Sequence, residues 1–131
     1  MELDFYAALG VDRPVIIGEF HHGALDAGLT ATGLKGVLSQ EERGLAFLYY
    51  CQRAAGHLLG VGCHYFQCYD QFPLGRFDGE NYNIGLFDTC FQAHDGLLAG
   101  MQACSRTVYP VKFGTRAPEG RMPQTIPMIA Y

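Results

Sequence analysis

"PVIIGEFHHGALD" (residues 14–26) carries a short apolar run straight into a carboxylate. Pro14 opens it. Val15, Ile16 and Ile17 follow as a continuous apolar stretch, the pattern of a strand covered on both faces. Glu19 then arrives with His21 and His22 behind it. The stretch predicts a strand over residues 14–20 that ends in chemistry-bearing side chains. What comes next, "HHGALDAGLTATGLKGVL" (21–38), is glycine-rich and without period. A loop that long in a compact domain is commonly functional.

A helix is predicted beyond it. Ser39 stands three residues before Glu42, the spacing of a capping box. Leu45, Leu48, Cys51, Ala55 and Leu58 recur at spacings of three and four and mark one buried stripe, with Gly60 ending the helix. "VGCHYFQ" (61–67) reads as a second strand. Residues 14–67 therefore spell strand, loop, helix, strand: a βαβ unit with parallel strands and a right-handed crossover.

Around this unit the pattern is plainer. "ELDFYAAL" (2–9) reads as the end of a helix capped by Gly10. Residues 68–91 form a second long loop, in which Asp70, Asp78, Glu80 and Asp88 alternate with Tyr69, Phe72, Phe77, Tyr82, Phe87 and Phe91. A further helix is expected from about His94 to Tyr109, with Pro110 stopping it. Residues 1–116 read as one unit, without internal repeat or second domain. The tail, 117–131, contains three prolines and reads as extended or disordered.

Composition narrows the classes. The chain has 131 residues, of which 49% are hydrophobic, enough to bury a core. Nine basic against 13 acidic residues give a net charge of −4, and no basic patch exists, which argues against nucleic acid as a partner. No apolar run approaches the length of a membrane span. "MELDFYAALG" shows no signal-peptide pattern; an upstream leader in a longer precursor stays open, and so does the compartment. Five cysteines without a C-x-x-C pair fit mostly buried thiols better than a zinc site or a disulfide framework. No cofactor or metal is implied. His21 and His22 are adjacent, so on an extended chain they point to opposite faces and cannot chelate together. One of them with His64 and an acid is the remaining metal alternative, and His57 reads as structural.

Both long loops follow the C-terminal end of a parallel strand, the end at which α/β folds bind ligands. Glu19, His21, His22, Asp26, His64, Gln67, Asp70 and the 78–81 cluster gather at that rim. Taken alone, Glu19 could simply mark where a strand meets water. In this company it is a carboxylate with a tunable pKa. Aromatic rings among carboxylates and amides suit sugars: the rings cover C–H faces and the polar groups bond hydroxyls.

Four blocks carry a resemblance: "RPVIIGEFHHGALDAG" (13–28), "SQEERG" (39–44), "GVGCHYFQCYDQ" (60–71) and "GRFDGENYNIGLFD" (75–88). In this order they resemble the C-terminal portion of clan A glycoside hydrolases, most closely the β-agarase-like family 50 enzymes, over about residues 12–110. The resemblance implies a (β/α)8 barrel and a retaining mechanism. It makes Glu19 the nucleophile at the end of the seventh strand and His21 the histidine of that motif. The strand at 61–67 resembles the eighth, with Tyr65 where such enzymes commonly carry a Trp; this chain has no Trp. Asp78, Glu80 and Asn81 fall in the sugar-binding loop that follows. His21 and Tyr65 are the expected donors that keep Glu19 ionised, Gln67 positions substrate, and His22 and His64 complete the expected substrate-binding set.

A whole barrel takes about 250 residues. The expected fold class is therefore an α/β segment, the last two strands and helices of a (β/α)8 TIM barrel rather than a complete one. The acid/base of the resembled family sits on the fourth strand, outside this sequence. The expected function is part of a retaining glycosidase acting on β-galactosidic polysaccharide, with agarose-type galactan and simple β-galactosides both open. Alone the chain is expected to be inactive, its sheet edges seeking the missing N-terminal barrel portion or a second copy. The alternative is a non-catalytic carbohydrate-binding or degenerate half-barrel.

Overall fold

In the computed structural model, which describes residues 2–130, the βαβ unit forms. The chain runs α1 (Glu2–Ala8), β1 (Val15–Phe20), α2 (Gln40–Gly56), β2 (Gly60–Tyr65) and α3 (Asp95–Lys112). β1 and β2 pair in parallel as a two-stranded sheet, which is open and not a closed barrel. Gly10 adopts φ +81° just past α1, and the N–H of Gly10 bonds the Ala7 carbonyl at 3.0 Å.

One face of the sheet is covered. Ile17, Phe20, Cys63 and Tyr65 pack with Phe47, Leu48, Tyr50 and Cys51 of α2 and with Cys104 and Val108 of α3. Side chains alternate along a strand, so Ile16 and His64 lie on the other face. Both are exposed, Ile16 by 56%. Covering on both faces, expected from the apolar run, thus holds on one face only among the described residues.

The buried face of α2 also differs from expectation. Of the predicted stripe only Cys51 is buried; Leu48 and Ala55 are half-buried, Leu45 is exposed and Leu58 is 90% exposed. The buried residues are Arg43, Gly44, Ala46, Cys51, Gln52 and Ala54. The cause is a backbone-to-backbone contact between helices. A Cβ on Gly44 would lie 2.2 Å from the Gly96 carbonyl oxygen, and one on Gly100 would lie 2.1 Å from the Gly44 carbonyl oxygen. Small residues at the crossing set the helix's rotation, so that Leu45 faces outward while Leu48 still packs against the sheet.

Boundaries shift for local reasons. Ser39 caps α2 as expected, its Oγ accepting from the Glu42 N–H at 3.3 Å. Glu42 Oε2 returns to the N–H of Leu38 (2.8 Å) rather than to that of Ser39. α2 ends at Gly56, and Gly60 opens β2, where a Cβ would sit 2.0 Å from the Ala54 carbonyl oxygen. Pro110 does not stop α3. It lies in the last turn, and the helix continues to Lys112, closing with the Phe113 N–H on the Tyr109 carbonyl at 2.9 Å.

The tail runs extended across the first loop. The Ile126 N–H bonds the Gly36 carbonyl at 2.9 Å, and the Ile129 carbonyl accepts from Thr32 (3.0 Å) and Gly33 (3.1 Å). Gln52, buried between the helices, donates to Thr107 Oγ1 (2.7 Å) and accepts the Glu119 N–H (2.7 Å). All five cysteines are free. Cys51 and Cys104 are buried and Cys63 is half-buried, but Cys68 and Cys90 are exposed because their loop lies on the surface. No described helix is long and apolar enough to cross a membrane.

Candidate functional site

Two irregular loops can present a fixed site only if something pins them, and here a buried cation does. Arg43, wholly buried in the first turn of α2, donates from Nε to the His22 carbonyl (2.8 Å) and from one amino group to Gln40 Oε1. Its other amino group reaches the Gly85 carbonyl (2.7 Å) and the Tyr65 hydroxyl (3.0 Å). A guanidinium taken from water needs such acceptors, since an unmet buried charge is costly. One side chain therefore ties the end of β1, the end of β2 and the second loop to α2.

A buried carboxylate completes the frame. Asp70 accepts from the Gly85 N–H (2.7 Å), Asn83 Nδ2 (2.7 Å) and His94 Nε2 (2.8 Å). The Gly85 residue thus bonds Asp70 through its N–H and Arg43 through its carbonyl. Gln40 Nε2 donates to Asn83 Oδ1 (2.6 Å) and to Asp26 Oδ1 (2.8 Å), and Asp26 also takes the Gln40 N–H (3.0 Å). Asp26 and Asp70 are therefore occupied in holding the loops.

On this frame stands Glu19. Ile17 pairs with Cys63 and Phe20 with Tyr65, so Gly18 and Glu19 together oppose the single residue His64. Such a bulge bends a strand and re-aims a side chain. Glu19 is exposed at the C-terminal end of β1, and among the described residues it makes no hydrogen bond or ion pair. It borders an open cleft of about 330 Å³ with Tyr6, Val15, Ile17 and Tyr50.

The two histidines diverge. His21 packs against Phe66 and Tyr82, with ring centroids 6.3 and 6.0 Å away. His22 meets Phe20 and Tyr50 edge-on, at 6.1 and 6.0 Å. His21 Nε2 accepts the Leu34 N–H at 2.8 Å, which leaves the proton of the neutral ring on Nδ1. Burial pushes the His21 pKa down to about 4, against an upward pull from Glu80. Burial, and then the charges of His21, Arg43 and Lys35, bring His22 to about 4. Neither is a cation at neutral pH.

The other expected residues fall into two groups. Tyr65 faces the helices, where its hydroxyl takes the Arg43 bond and donates to the Ile84 carbonyl (2.9 Å). It is not a donor to Glu19, because the Arg43 frame holds its hydroxyl; neither is His21, whose ring is buried and whose Nε2 is taken by the Leu34 N–H. His64 is exposed and Gln67 half-buried. In the acidic loop Arg76 binds Asp78 and lies 3.6 Å from Glu80. The Arg76 bond holds the Asp78 carboxyl below its ordinary range. Gln71 Nε2 donates to Glu80 (2.8 Å), and Asn81 reaches Thr30 Oγ1 of the first loop (3.2 Å). The loop keeps one edge toward His21, through Glu80 and Tyr82.

Sequence reasoning missed Arg43, Gln40, Asn83 and His94. One signal was available: a cation in the first turn of a helix opposes the helix dipole, so Arg43 needed other acceptors.

No model of a known protein family matches the chain. Among curated proteins it is 46% identical over 76 residues to β-agarase A of Vibrio sp. (strain JT0107), covering 57% of this chain and 8% of that protein. It is 35% identical over 104 residues to β-agarase B of the same strain, covering 79% of this chain and 11% of that one. Among solved structures it superposes on the agarase AgWH50C with a TM-score of 0.78 and 40% identity, covering 86% of this chain and 17% of the other. An exo-β-agarase gives a TM-score of 0.78 at 36% identity (85% and 15%), and PfGH50B gives 0.81 at 32% (86% and 16%). Fold and sequence together define a piece of a glycoside hydrolase. More particularly, the chain is a β-agarase-like segment of the family 50 kind, and it spans about a tenth of the curated relatives it matches.

Proposed function

We propose that this segment supplies the nucleophile of a retaining glycosidase that cleaves agarose-type β-galactan. In this reading β1 and β2 are the seventh and eighth strands of a (β/α)8 barrel. Glu19 attacks the anomeric carbon and forms a glycosyl ester. A second carboxyl from outside these residues, about 5–5.5 Å away, first protonates the leaving oxygen and then activates water. His64, Gln67, Glu80 and Asn81 face the sugar hydroxyls, while Arg43 and Asp70 hold the loops that carry them. The open sheet face and edges, with Ile16 and Val61 exposed, are closed by the remaining strands or by another copy.

The observation that carries this reading is Glu19 itself. It is a carboxylate on a bulge at a parallel strand's C-terminal end, exposed and bound to nothing within the described residues, in a chain whose relatives are named agarases. The test is a chimaera in which this segment replaces the matching part of β-agarase A. Glu19→Gln in the chimaera should abolish turnover and leave oligosaccharide binding intact, because shape is kept and the nucleophile is lost. Residual turnover above about a hundredth of the unmutated chimaera would exclude Glu19 as nucleophile.

A further inference from the structure

Phe91 is the one non-glycine residue with positive φ among the described residues, at +65°. The turn that holds it is tightly built. Asp88 Oδ1 accepts from the Cys90 and Gln92 N–H groups, both at 2.8 Å, and the Asp88 N–H bonds the Gln92 carbonyl at 2.9 Å. A bulky aromatic is a poor choice for left-handed backbone, where glycine or asparagine is favoured. Burial does not compensate, since Phe91 is 74% exposed. The ring does have neighbours: it meets Tyr69 edge-on at 5.3 Å, and Tyr69 lies 5.9 Å from Phe87. Tyr69 is itself exposed. The backbones of Tyr69 and Phe87 bridge, which fixes the rings to one another.

These rings form a ledge four residues past the end of β2, at the same end of the sheet as Glu19. In the turn that carries Phe91, Thr89 and Gln92 are exposed and uncharged. An open aromatic surface flanked by neutral hydrogen-bonding groups fits the apolar C–H face of a sugar ring whose hydroxyls turn to the rim. We infer that Tyr69 and Phe91 form a stacking subsite for one residue of a galactan chain, with Thr89 and Gln92 at its hydroxyls. The inference rests on the galactan reading above and adds to it a contact that binds without cleaving.

The test is affinity electrophoresis of the 131-residue chain in native gels containing soluble agarose-type galactan or, as control, dextran. Retardation by the galactan should weaken by roughly tenfold in Phe91→Gly and in Tyr69→Ala, the loss of one aromatic contact. Because glycine accepts the left-handed backbone, Phe91→Gly should leave Tm unchanged or raise it. Full retardation of Phe91→Gly would overturn the subsite and leave the galactan reading standing. No retardation of the unmutated chain by galactan would overturn the subsite, while the nucleophile reading is tested separately in the chimaera. A fall in Tm for Phe91→Gly would make the ring structural. Dissociation of an oligomer by that substitution, seen by light scattering, would make the ledge a contact between copies; either result overturns the subsite.

Discussion

Replacing Gly100 with alanine puts a methyl group where the backbone of α2 already runs. A Cβ there would lie 2.1 Å from the Gly44 carbonyl oxygen and 2.4 Å from both its carbonyl carbon and its Cα. Real contacts of that kind stay beyond 3.0 Å, so the helices must part by roughly 1 Å at their crossing. Two effects oppose each other. Alanine in a helix interior is favoured over glycine by about 0.5–1 kcal/mol. Overpacking costs about 1–3 kcal/mol, sometimes more. Parting the helices also stretches the 2.7 Å bond from Gln52 to Thr107 and loosens Cys51 against Cys104. The clash wins, and the net loss should be about 2 kcal/mol. In a chain of this size that lowers Tm by roughly 6–10 °C. Gly44→Ala should act similarly from the other side, and the double variant should cost less than the sum, because the first methyl already separates the helices. Thermal and urea melts followed by circular dichroism measure all three. A Gly100→Ala chain as stable as the parent, or more so, would mean that the helices do not touch through their backbones and that propensity decides.

Three further outcomes are expected. With His21 and His22 near pKa 4 when folded and near 6.5 when unfolded, the unfolded chain takes up protons that the native chain refuses. Their contribution is therefore complete above pH 6.5 and is lost as pH falls toward 4, by roughly 2–3 kcal/mol for each. Urea midpoints at pH 7 and pH 5 should differ accordingly, with about half the difference gone in His22→Gln; equal midpoints would mean that the rings are solvated. Asp70→Asn turns one of its acceptor oxygens into a donor facing other donors, and should cost about 2–4 kcal/mol by denaturant titration. Ser39→Ala should cost about 0.5–2 kcal/mol through the lost cap. A double-mutant cycle with Glu42→Ala should show weak coupling, since Glu42 bonds Leu38 rather than Ser39.

The order strand, helix, strand, helix was legible because each element announces itself locally, by an apolar run, a capping serine or a terminal glycine. The parallel pairing followed from the helix between the strands. The buried face of α2 was not legible. Leucines at helical spacing outweigh glycines in any pattern, yet the contact of Gly44 with Gly96 and Gly100 decides the rotation, and it joins residues more than fifty apart. The site divides in the same way. Glu19 was visible as a carboxylate out of place after an apolar strand. The bulge that aims it depends on register with His64 and leaves no mark in the sequence. Tyr65 read as a sugar-facing residue but serves the frame, because its hydroxyl meets Arg43, 22 residues earlier in the chain. That frame joins Arg43 to Gly85 across 42 residues, and no local pattern reports such a pair.

If Glu19 is the nucleophile, the sugar becomes covalently attached to it. The direct measurement is trapping with a 2-deoxy-2-fluoro-galactosyl donor carrying an activated leaving group, which does not depend on the acid/base for departure. The reagent is applied to the β-agarase chimaera containing this segment, and the adduct is located by peptide mass spectrometry. One label is expected, on the peptide containing Glu19, and none in Glu19→Gln. A label on any other carboxylate, or turnover with no trapped ester, would contradict the nucleophile reading.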